Sequence, residues 1–325
     1  MSVGSGDILV PGLVDLQING AYGHDFSSDP RSMWRVGARL PEQGVTAFLP
    51  TIITSRPEMI TQALEALHAR PPGYVGAEPL GLHLEGPFLS PRRPGVHDPA
   101  LMRSPSLELI KDWMPGVAMM TLAPELPGAE ATVKTLLQAG VVVSAGHSAA
   151  SYEEALAGFA WGIGAITHLF NAMEPFSHRE PGLVGATFDS KAVAGIICDG
   201  VHVHPATVRA AWRLLGPSRL ALVTDAIAAT GLSDGAYRLG DREVQVQNGE
   251  ATDSAGHLAG STLTLDQATR NLLAFTGCTP AEAVAAASSV PASLMRLGSR
   301  SDWVRFDEDL RPLATIVADR VVWER

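Results

Sequence analysis

Residues 81–87 read GLHLEGP, a short apolar run that ends in the carboxylate of Glu85 before a Gly-Pro pair turns the chain. The same pattern recurs, because apolar runs also end near His147 in GVVVSAGHS, His168 in GAITHLFNAM and Asp225 in LALVTDA. Parallel strands of a closed barrel present their carboxyl ends on one face, where the catalytic residues of such barrels lie. These four residues therefore predict a common site at one end of a barrel.

Short β-rich runs alternate with amphipathic segments along the chain, which predicts an α/β fold with a TIM-like (β/α)8 barrel. We count eight runs, around residues 8–18, 45–53, 80–85, 117–122, 141–147, 165–170, 193–199 and 220–225. Apolar residues recur at helical spacing in 56–70, 131–139, 152–161 and 205–215. The link NAMEPFSHREPGLVGATFDS, residues 171–190, is rich in Pro and Gly and predicts a long functional loop.

The chain after the eighth run has a different pattern. Residues 237–247 alternate before the turn signal NGE and predict a β-hairpin, and helices are expected around 264–275 and 281–297. The stretch 303–325 alternates like antiparallel strands, which need a partner sheet or packing on the barrel because two strands alone are marginal. We therefore predict two domains, a catalytic barrel over 8–298 and a strand-forming C-terminal segment over 299–325, which the resemblance described below identifies as the last strands of a small β-sandwich.

Composition excludes several classes of protein. The 325 residues carry a net charge of −10 without a long Lys/Arg run, which argues against nucleic acid as a partner. A phosphorylated small molecule stays compatible, because one local Arg suffices to bind it. Cys198 and Cys278 cannot staple a fold of this size, which suits a reducing compartment. Without a membrane-length apolar run or the basic and apolar regions of a signal peptide in MSVGSGDILVPG, we expect a soluble cytoplasmic protein.

Glu85, His147 and His168 are the ligand types of a catalytic divalent metal site. Each alone has an ordinary explanation, as a solvated Glu at a strand end or a hydrogen-bonded buried His. Three at equivalent strand ends favour one metal ion with a fourth position open, zinc first and iron, cobalt or manganese as alternatives. Gln17 and Asn19 stand in DLQING, where two-metal barrel hydrolases often have histidines. Because amides are weak ligands for such ions, one ion per chain is expected.

Asp225 is then free to move protons. The ordinary alternative is a helix N-cap, a position that Asp favours. At the eighth strand of the same barrel, its carboxylate could take a proton from water beside the metal and return it to a leaving group. We favour proton transfer.

Residues on the predicted loops could contact a substrate. One of His202 and His204, in DGVHVH, could hydrogen-bond a substrate oxygen, although a solvent-facing loop suits His204 better. Arg179, on the long loop, has the forked donor geometry that suits phosphate, although a surface Arg is the ordinary alternative. His97 lies in a Pro/Gly-rich loop after Glu85. Residues 258–264, LAGSTLT, could offer backbone groups to a ligand or cap the following helix.

Seven motifs, in this order and spacing, resemble those of the N-acetylglucosamine-6-phosphate deacetylases of the amidohydrolase superfamily: HLEGPF, TLAPE, SAGHS, THLFNAM with REPGLVGA, DGVHV and VTDA. The resemblance spans about residues 11–297. It implies hydrolysis of the acetamide of N-acetylglucosamine 6-phosphate to glucosamine 6-phosphate and acetate. Family members usually have an N-terminal segment that builds a β-sandwich with the last strands. Here the barrel begins near residue 8, so the resemblance predicts that the tail IVADRVVWER lacks these partner strands.

The resemblance also implies roles for individual residues. Metal ligation falls to Glu85, His147 and His168, and the general base and acid role to Asp225, while His202 would polarise the acetamide carbonyl. Arg179 would contact the phosphate, often that of the neighbouring subunit's ligand, which implies a homodimer. The substrate-facing residues that we predict in total are Gln17, Asn19, Val96, His97, Asn171, Ala172, Arg179, His202, Leu258, Ala259 and Gly260.

Other functions stay open at this stage, since a fold does not determine a substrate. The barrel could deacetylate another amino-sugar phosphate, such as N-acetylgalactosamine 6-phosphate, or open a cyclic amide. The chain could also be a non-catalytic sugar-phosphate binder. Asp225 argues against the binder, because binding alone does not require it.

Overall fold

Parallel strands surrounded by helices form the main body of the chain in this computed structural model, which describes residues 7–325. Residues 1–6, which belong to the stretch MSVGSGDILVPG that lacks signal-peptide features, lie outside the described residues. The strands are β1 (Ile8–Pro11), β2 (Leu13–Ile18), β3 (Gly20–Ala21), β4 (His24–Asp25), β5 (Val45–Ile53), β6 (Glu78–Pro79), β7 (Leu82–Glu85), β8 (Val117–Leu122), β9 (Val142–Ala145), β10 (Ala165–Ile166), β11 (Val193–Ile197), β12 (Leu220–Val223), β13 (Gly235–Leu239), β14 (Arg242–Gln247), β15 (Glu250–Thr252), β16 (Trp303–Phe306), β17 (Pro312–Val317) and β18 (Arg320–Glu324). The α-helices are α1 (Met33–Arg39), α2 (Pro57–His68), α3 (Leu107–Ile110), α4 (Ala129–Gln138), α5 (Tyr152–Trp161), α6 (Gly182–Phe188), α7 (Pro205–Leu215), α8 (Leu265–Thr276), α9 (Pro280–Ala287) and α10 (Ser289–Leu294).

The eight-stranded parallel barrel is confirmed. Its strands pair in the order β2-β5-β7-β8-β9-β10-β11-β12, and β6 adds a short pairing to β5. Backbone hydrogen bonds join the first and last strands, since the amide of Asp225 donates to Gln17 O at 2.9 Å and that of Asn19 donates to Ala226 O at 2.8 Å. These bonds close the ring beside the predicted site.

Helices on the outside of the barrel explain why its strands read as apolar runs. All nine residues of β5 are buried, because one face meets the barrel interior and the other meets the helical layer. Helices α2, α4, α5 and α7 lie in the four segments where helical spacing predicted them. The capping box of Ser151 and Glu154 starts α5, where the hydroxyl accepts from the Glu154 amide and the carboxylate from the Ser151 amide.

The first predicted run is divided between two sheets at Gly12. Residues 8–11 form β1, which leaves the barrel, whereas β2 begins only at Leu13. A Cβ at Gly12 would lie 2.1 Å from Thr46 Oγ1, so the chain crosses here only because the residue lacks a side chain. The amide of Gly12 donates to Asp302 O at 3.0 Å and ties the crossing to the C-terminal segment.

A second sheet contains the terminal strands in the order β1-β16-β17-β18, all antiparallel. Thr315 Oγ1 donates to Pro41 O at 2.7 Å, which holds this sheet against the barrel. The alternating stretch 303–325 is therefore strand-forming as predicted, and residues 8–11 supply a pairing strand. The proposed domain boundary at residue 298 stays a prediction.

Two segments differ from their sequence predictions, a long loop over 171–190 and a single helix over 281–297. The link 171–190 contains a short helix, α6, whose small residues are buried. The single helix expected over 281–297 is two helices, α9 and α10, separated at Ser288 with φ −130° and ψ −80°. Pro291 explains the break, because in one continuous helix its ring would clash with the carbonyl four residues earlier.

A small three-stranded antiparallel sheet, β13-β14-β15, follows the barrel. It contains the predicted hairpin and adds one strand after the turn at Asn248 and Gly249, both with positive φ. Leu239 from β13 and His257 from the loop after β15 reach the mouth of the barrel. Within residues 7–325, no helix has the length and apolar character needed to cross a membrane.

Candidate active site

Glu85, His147 and His168 converge on one point at the carboxyl end of the barrel. Glu85 Oε1 lies 3.1 Å from His147 Nε2 and 2.9 Å from His168 Nε2, and the two nitrogens are 3.1 Å apart. All three residues are buried. Ligands about 2.0–2.1 Å from a tetrahedral ion lie about 3.3 Å from each other, so this triangle fits one divalent ion.

Strained backbone places the side chains of this site. His147, His168 and Asp225 have φ of 47°, 31° and 51°, in the left-handed region that residues other than glycine rarely adopt. Each follows a barrel strand, so the turn directs the side chain over the end of the barrel and away from its core. Such strain persists only where the surroundings enforce it, and it is concentrated at functional sites.

The backbone of a loop orients His147. Its Nδ1 donates to Arg93 O at 3.0 Å, which leaves the lone pair of Nε2 directed at Glu85 and His168. Metal-binding histidines commonly donate their second ring nitrogen to a carbonyl in this way. The loop passes close, since a Cβ at Gly95 would lie 3.0 Å from His147 Cε1.

His97 lies next to the same point, with Nε2 3.7 Å from Glu85 Oε2. Donor atoms of Glu85, His97 and His147 all lie within 4.8 Å of one another, so His97 is a further ligand candidate by distance. However, the amide of Thr54 donates to His97 Nδ1 at 3.2 Å, so the neutral ring has its proton on Nε2. We therefore interpret His97 as directing its Nε2–H toward Glu85 Oε2 and retain His168 as the candidate third ligand.

Burial and ion pairing shift the protonation of this cluster. Burial raises the pKa of Glu85, but hydrogen bonds with His147, His168 and His97 outweigh it and hold that pKa well below its usual range. Burial lowers the pKa of His147 to about 4, whereas at His168 the hydrogen bond with Glu85 outweighs burial and raises the pKa. The His147 ring is therefore neutral near pH 7, as ligation of a metal ion requires.

Asp225 follows β12 and faces the triangle of Glu85, His147 and His168. Two side-chain amides donate hydrogen bonds to its carboxylate. Its Oδ1 accepts from Asn19 Nδ2 at 2.6 Å and from Gln17 Nε2 at 3.1 Å, and Gln17 Nε2 also lies 3.2 Å from Glu85 Oε1. Burial, together with the charge of Glu85, raises the pKa of Asp225 to about 6. Asp225 does not cap a helix, because the next helix begins at Leu265 with Thr264 as its N-cap. The structure thus leaves proton transfer as the stronger interpretation.

The two histidines of DGVHVH take separate positions. His202 lines the cavity over the triangle, and its Nδ1 lies 2.6 Å from Asp199 Oδ2. His204 is the N-cap of α7, where its Nδ1 accepts from the amide of Ala206 at 3.1 Å. His204 is therefore occupied as a helix cap, and His202 is the one of the two histidines that lines the cavity.

A cavity of about 390 Å³ opens above the triangle and holds most of the predicted substrate residues. Those that line it are Asn19, Val96, His97, Asn171, Ala172, His202, Leu258 and Gly260. Gln17 and Ala259 are buried behind its wall. Arg179 lies elsewhere, exposed beside a neighbouring cavity of about 680 Å³.

Sequence reasoning missed several residues of the cavity wall. Arg92, Arg93, Leu239 and His257 line it, although no motif marked them. The one available signal was the pair Arg92-Arg93 itself, the only two adjacent basic residues in the chain. Leu239 and His257 come from the small sheet, whose position over the barrel could not be read from local pattern.

The sequence of the chain is similar to those of known proteins. A model of the amidohydrolase family matches residues 8–301. The human N-acetylglucosamine-6-phosphate deacetylase is 39% identical over 346 residues, covering 98% of this chain and 84% of that protein. The deacetylase of the same name from Bacillus subtilis is 39% identical over 283 residues, covering 83% of this chain and 71% of that protein.

Solved structures give the same result. The N-acetylglucosamine-6-phosphate deacetylase of Thermotoga maritima superposes with a TM-score of 0.93 at 34% identity, covering 100% of this chain and 91% of that one. An Asp-to-Ala mutant of the Mycobacterium smegmatis deacetylase, in complex with N-acetyl-D-glucosamine-6-phosphate, superposes with a TM-score of 0.90 at 37% identity. That alignment covers 97% of this chain and 87% of the other.

Proposed function

Because this chain belongs to the amidohydrolase family, and within it to the N-acetylglucosamine-6-phosphate deacetylases, we propose that it hydrolyses N-acetylglucosamine 6-phosphate to glucosamine 6-phosphate and acetate. One observation carries the proposal. The triangle of Glu85, His147 and His168 shares a cavity with Asp225, a buried carboxylate placed to move a proton. A non-catalytic binder would not require that carboxylate.

The donor set fits a divalent ion, in keeping with a metal-dependent family. One carboxylate oxygen and two imidazole nitrogens, with a fourth direction open to the cavity, favour zinc, while iron, cobalt and manganese accept the same ligands. Gln17 and Asn19 present amide donors toward Asp225, where a second ion would need ligands, which supports one ion per chain. When bound, such an ion polarises a carbonyl oxygen and lowers the pKa of water to about 7.

Different residues of the chain then act in different steps of the reaction. Asp225 takes a proton from the attacking water, whose oxygen bonds to the acetamide carbonyl carbon. The C–N bond breaks, Asp225 returns the proton to the amine nitrogen, and acetate and the amino sugar leave. His202, when protonated, donates from Nε2 to the carbonyl oxygen as negative charge develops there, while Asp199 offsets the charge of the ring.

Assembly and location are further parts of the proposal. Arg179 lies outside the catalytic cavity of its own chain, on a loop where Phe176 is 56% exposed. An exposed aromatic side chain next to an unengaged guanidinium suits an interface, so we place Arg179 on the phosphate bound by the partner of a homodimer. Cys198 and Cys278 are free thiols, which supports the cytoplasm as the compartment.

The direct test measures metal content and turnover on one preparation. Purified protein should hold about one divalent ion per chain. It should release amine and acetate from N-acetylglucosamine 6-phosphate, with kcat/KM at least about tenfold above that for the galactosamine epimer, a difference of about 1.4 kcal/mol in transition-state binding. Preference for the epimer would reassign the substrate. Tight binding of both sugars by the metal-loaded protein without amine release would support a binder.

A further inference from the structure

The catalytic cavity is acidic at its base, where Glu85 and Asp225 are buried. A phosphate monoester carries about −1.5 to −2 charges at pH 7, so the proposed substrate needs compensating positive charge nearby. Among the residues that line the cavity, only Arg92 and Arg93 carry a permanent positive charge. Arg179, the residue that sequence reasoning assigned to phosphate, belongs to the adjacent cavity.

The two guanidinium groups share a single carboxylate. Arg92 Nη2 donates to Glu174 Oε1 at 3.0 Å, and Arg93 Nη2 donates to Glu174 Oε2. The cluster therefore has one more positive than negative charge. Arg93 Nε is buried without a hydrogen-bond partner, which leaves one donor of a guanidinium, a group with five donors, available to a further acceptor. A carboxylate with its oxygens on two guanidiniums occupies the position that two phosphate oxygens would take.

The same loop reaches the metal ligands. Arg93 O accepts from His147 Nδ1, so the backbone of Arg93 orients a proposed ligand while its side chain faces the cavity. Arg92 borders both the catalytic cavity and the neighbouring one, where Arg179 and Glu174 lie. An anion held at this border therefore meets Arg92 and Arg93 from its own chain.

We infer that Arg92 and Arg93 form a phosphate subsite within one chain, and that Glu174 occupies this subsite when no substrate is bound. The substrate's phosphate displaces the Glu174 carboxylate from Arg93 and gains the free Nε donor. Arg179 of the partner then approaches the same phosphate from the neighbouring cavity. This inference rests on the proposed function for its substrate class and adds the residues that bind the phosphate of the substrate.

The test compares binding of two sugars that differ only in phosphate. Glucosamine 6-phosphate and glucosamine are titrated into the metal-loaded protein by calorimetry. The Kd of glucosamine divided by the Kd of glucosamine 6-phosphate then measures the contribution of the phosphate alone. Arg93→Ala should reduce this ratio at least about tenfold, the usual effect of a charge-assisted hydrogen bond. Arg92→Ala should reduce it less, since 72% of the Arg92 side chain is exposed. Arg93→Lys should recover part of the loss.

Arg56→Ala is the matched control. Arg56 is exposed and lines a different cavity that shares only Ile53 and Val96 with the catalytic one. Its removal changes net charge by the same amount but should alter the ratio by less than about twofold, as expected for a surface charge. Glu174→Gln, which keeps the size but removes the competing charge, should tighten glucosamine 6-phosphate severalfold.

Equal ratios in Arg93→Ala and Arg56→Ala would overturn the subsite, and so would weaker phosphate binding in Glu174→Gln. Metal content is measured in each variant, because Arg93→Ala retains the carbonyl that orients His147 and should retain the ion. The binding ratio does not depend on turnover. A wild type that discriminates the phosphate without releasing acetate would therefore count against the proposed function and leave the subsite supported.

Discussion

Asp225 illustrates how the fold orients one residue of the candidate site. Its backbone adopts a left-handed conformation, its carboxylate accepts two amide hydrogen bonds, and its side chain is buried beside Glu85. Two donors on one oxygen orient the carboxylate, while burial keeps its pKa closer to neutrality than that of a surface Asp. Orientation together with a raised pKa suits a group that both accepts and returns a proton.

Replacing Asp225 with Asn separates proton transfer from ligation. The variant keeps size and polarity but cannot accept the proton, so turnover should fall at least about a hundredfold while metal content and substrate binding persist. Steady-state amine release, elemental analysis and calorimetry check the three quantities. Turnover near that of the wild type would show that Asp225 has a structural role only.

His147→Ala tests the ligand triangle. The change leaves Glu85 and His168, whereas catalytic divalent sites use three protein ligands, so most of the bound metal should be lost. Elemental analysis after gel filtration measures this, with His204→Ala as control because His204 only caps α7. Unchanged metal in His147→Ala would exclude this ligand set, and two ions per wild-type chain would contradict the single-ion interpretation of Gln17 and Asn19.

At the scale of elements, the barrel closes where the site is built. Asp15, fully buried in β2, accepts from the amide and hydroxyl of Thr224 at 3.3 and 2.6 Å and from the Gln17 amide at 3.2 Å. Thr224 directly precedes Asp225. These contacts form a seam where β2, the first barrel strand, meets the end of β12, the last. The seam therefore holds in place the start of the turn that carries Asp225, the proposed base.

Asp15 also makes stability depend on pH. Burial raises the pKa of Asp15 to about 7, although hydrogen bonds from Thr224 and Gln17 act in the opposite direction. The unfolded chain loses this proton near pH 4, whereas the folded chain keeps it until about pH 7. The stabilising contribution is thus complete below about pH 4 and is lost as pH rises toward 7.

Two substitutions at Asp15 test the seam. Asp15→Ala leaves the buried amides of Thr224 and Gln17 without this acceptor and should lower the free energy of unfolding by about 2 kcal/mol or more. Asp15→Asn retains an acceptor oxygen and does not titrate, so its stability relative to wild type should improve between pH 5 and 7.5. Urea unfolding followed by circular dichroism measures both. Parallel pH profiles for Asn and wild type would show that Asp15 is ionised throughout.

At the scale of the whole molecule, two cavities lie side by side and share Arg92 on their walls. One contains Glu85, His147, His168 and Asp225, and the other contains exposed Arg179. The guanidinium of Arg179 therefore lies outside the cavity that holds the candidate site of its own chain. In the proposed homodimer this group completes the site of the partner.

Mixed dimers test that arrangement. Arg179→Ala should weaken use of the phosphorylated substrate by about tenfold or more and barely change the use of N-acetylglucosamine. Mixing Arg179→Ala chains with Asp225→Asn chains should restore activity, because one site of each mixed dimer then has both native residues. Absence of recovery, with subunit exchange shown by mass spectrometry, would place the action of Arg179 within one chain. Equal losses on both sugars would mean that it only supports its loop.

The barrel, the family and the polar residues at the strand ends could all be predicted from sequence alone. Apolar runs that end in Glu85, His147, His168 and Asp225 are local features, since each strand must bury its own side chains and each polar residue marks where the strand leaves the core. Parallel closure then brings these ends together without any further information. The identity of these residues could therefore be predicted before their distances were known.

Contacts between distant segments establish which further residues lie beside them. Asp15 and Thr224 are 209 positions apart, and Arg93 and Glu174 are 81 apart, so no local period relates them. Gly12 sends β1 to the terminal sheet because of contact with Thr46, and the start of α7 separates His202 from His204. Each of these outcomes depends on how loops and sheets pack around the closed barrel, a property of contacts between distant segments that local sequence pattern does not contain.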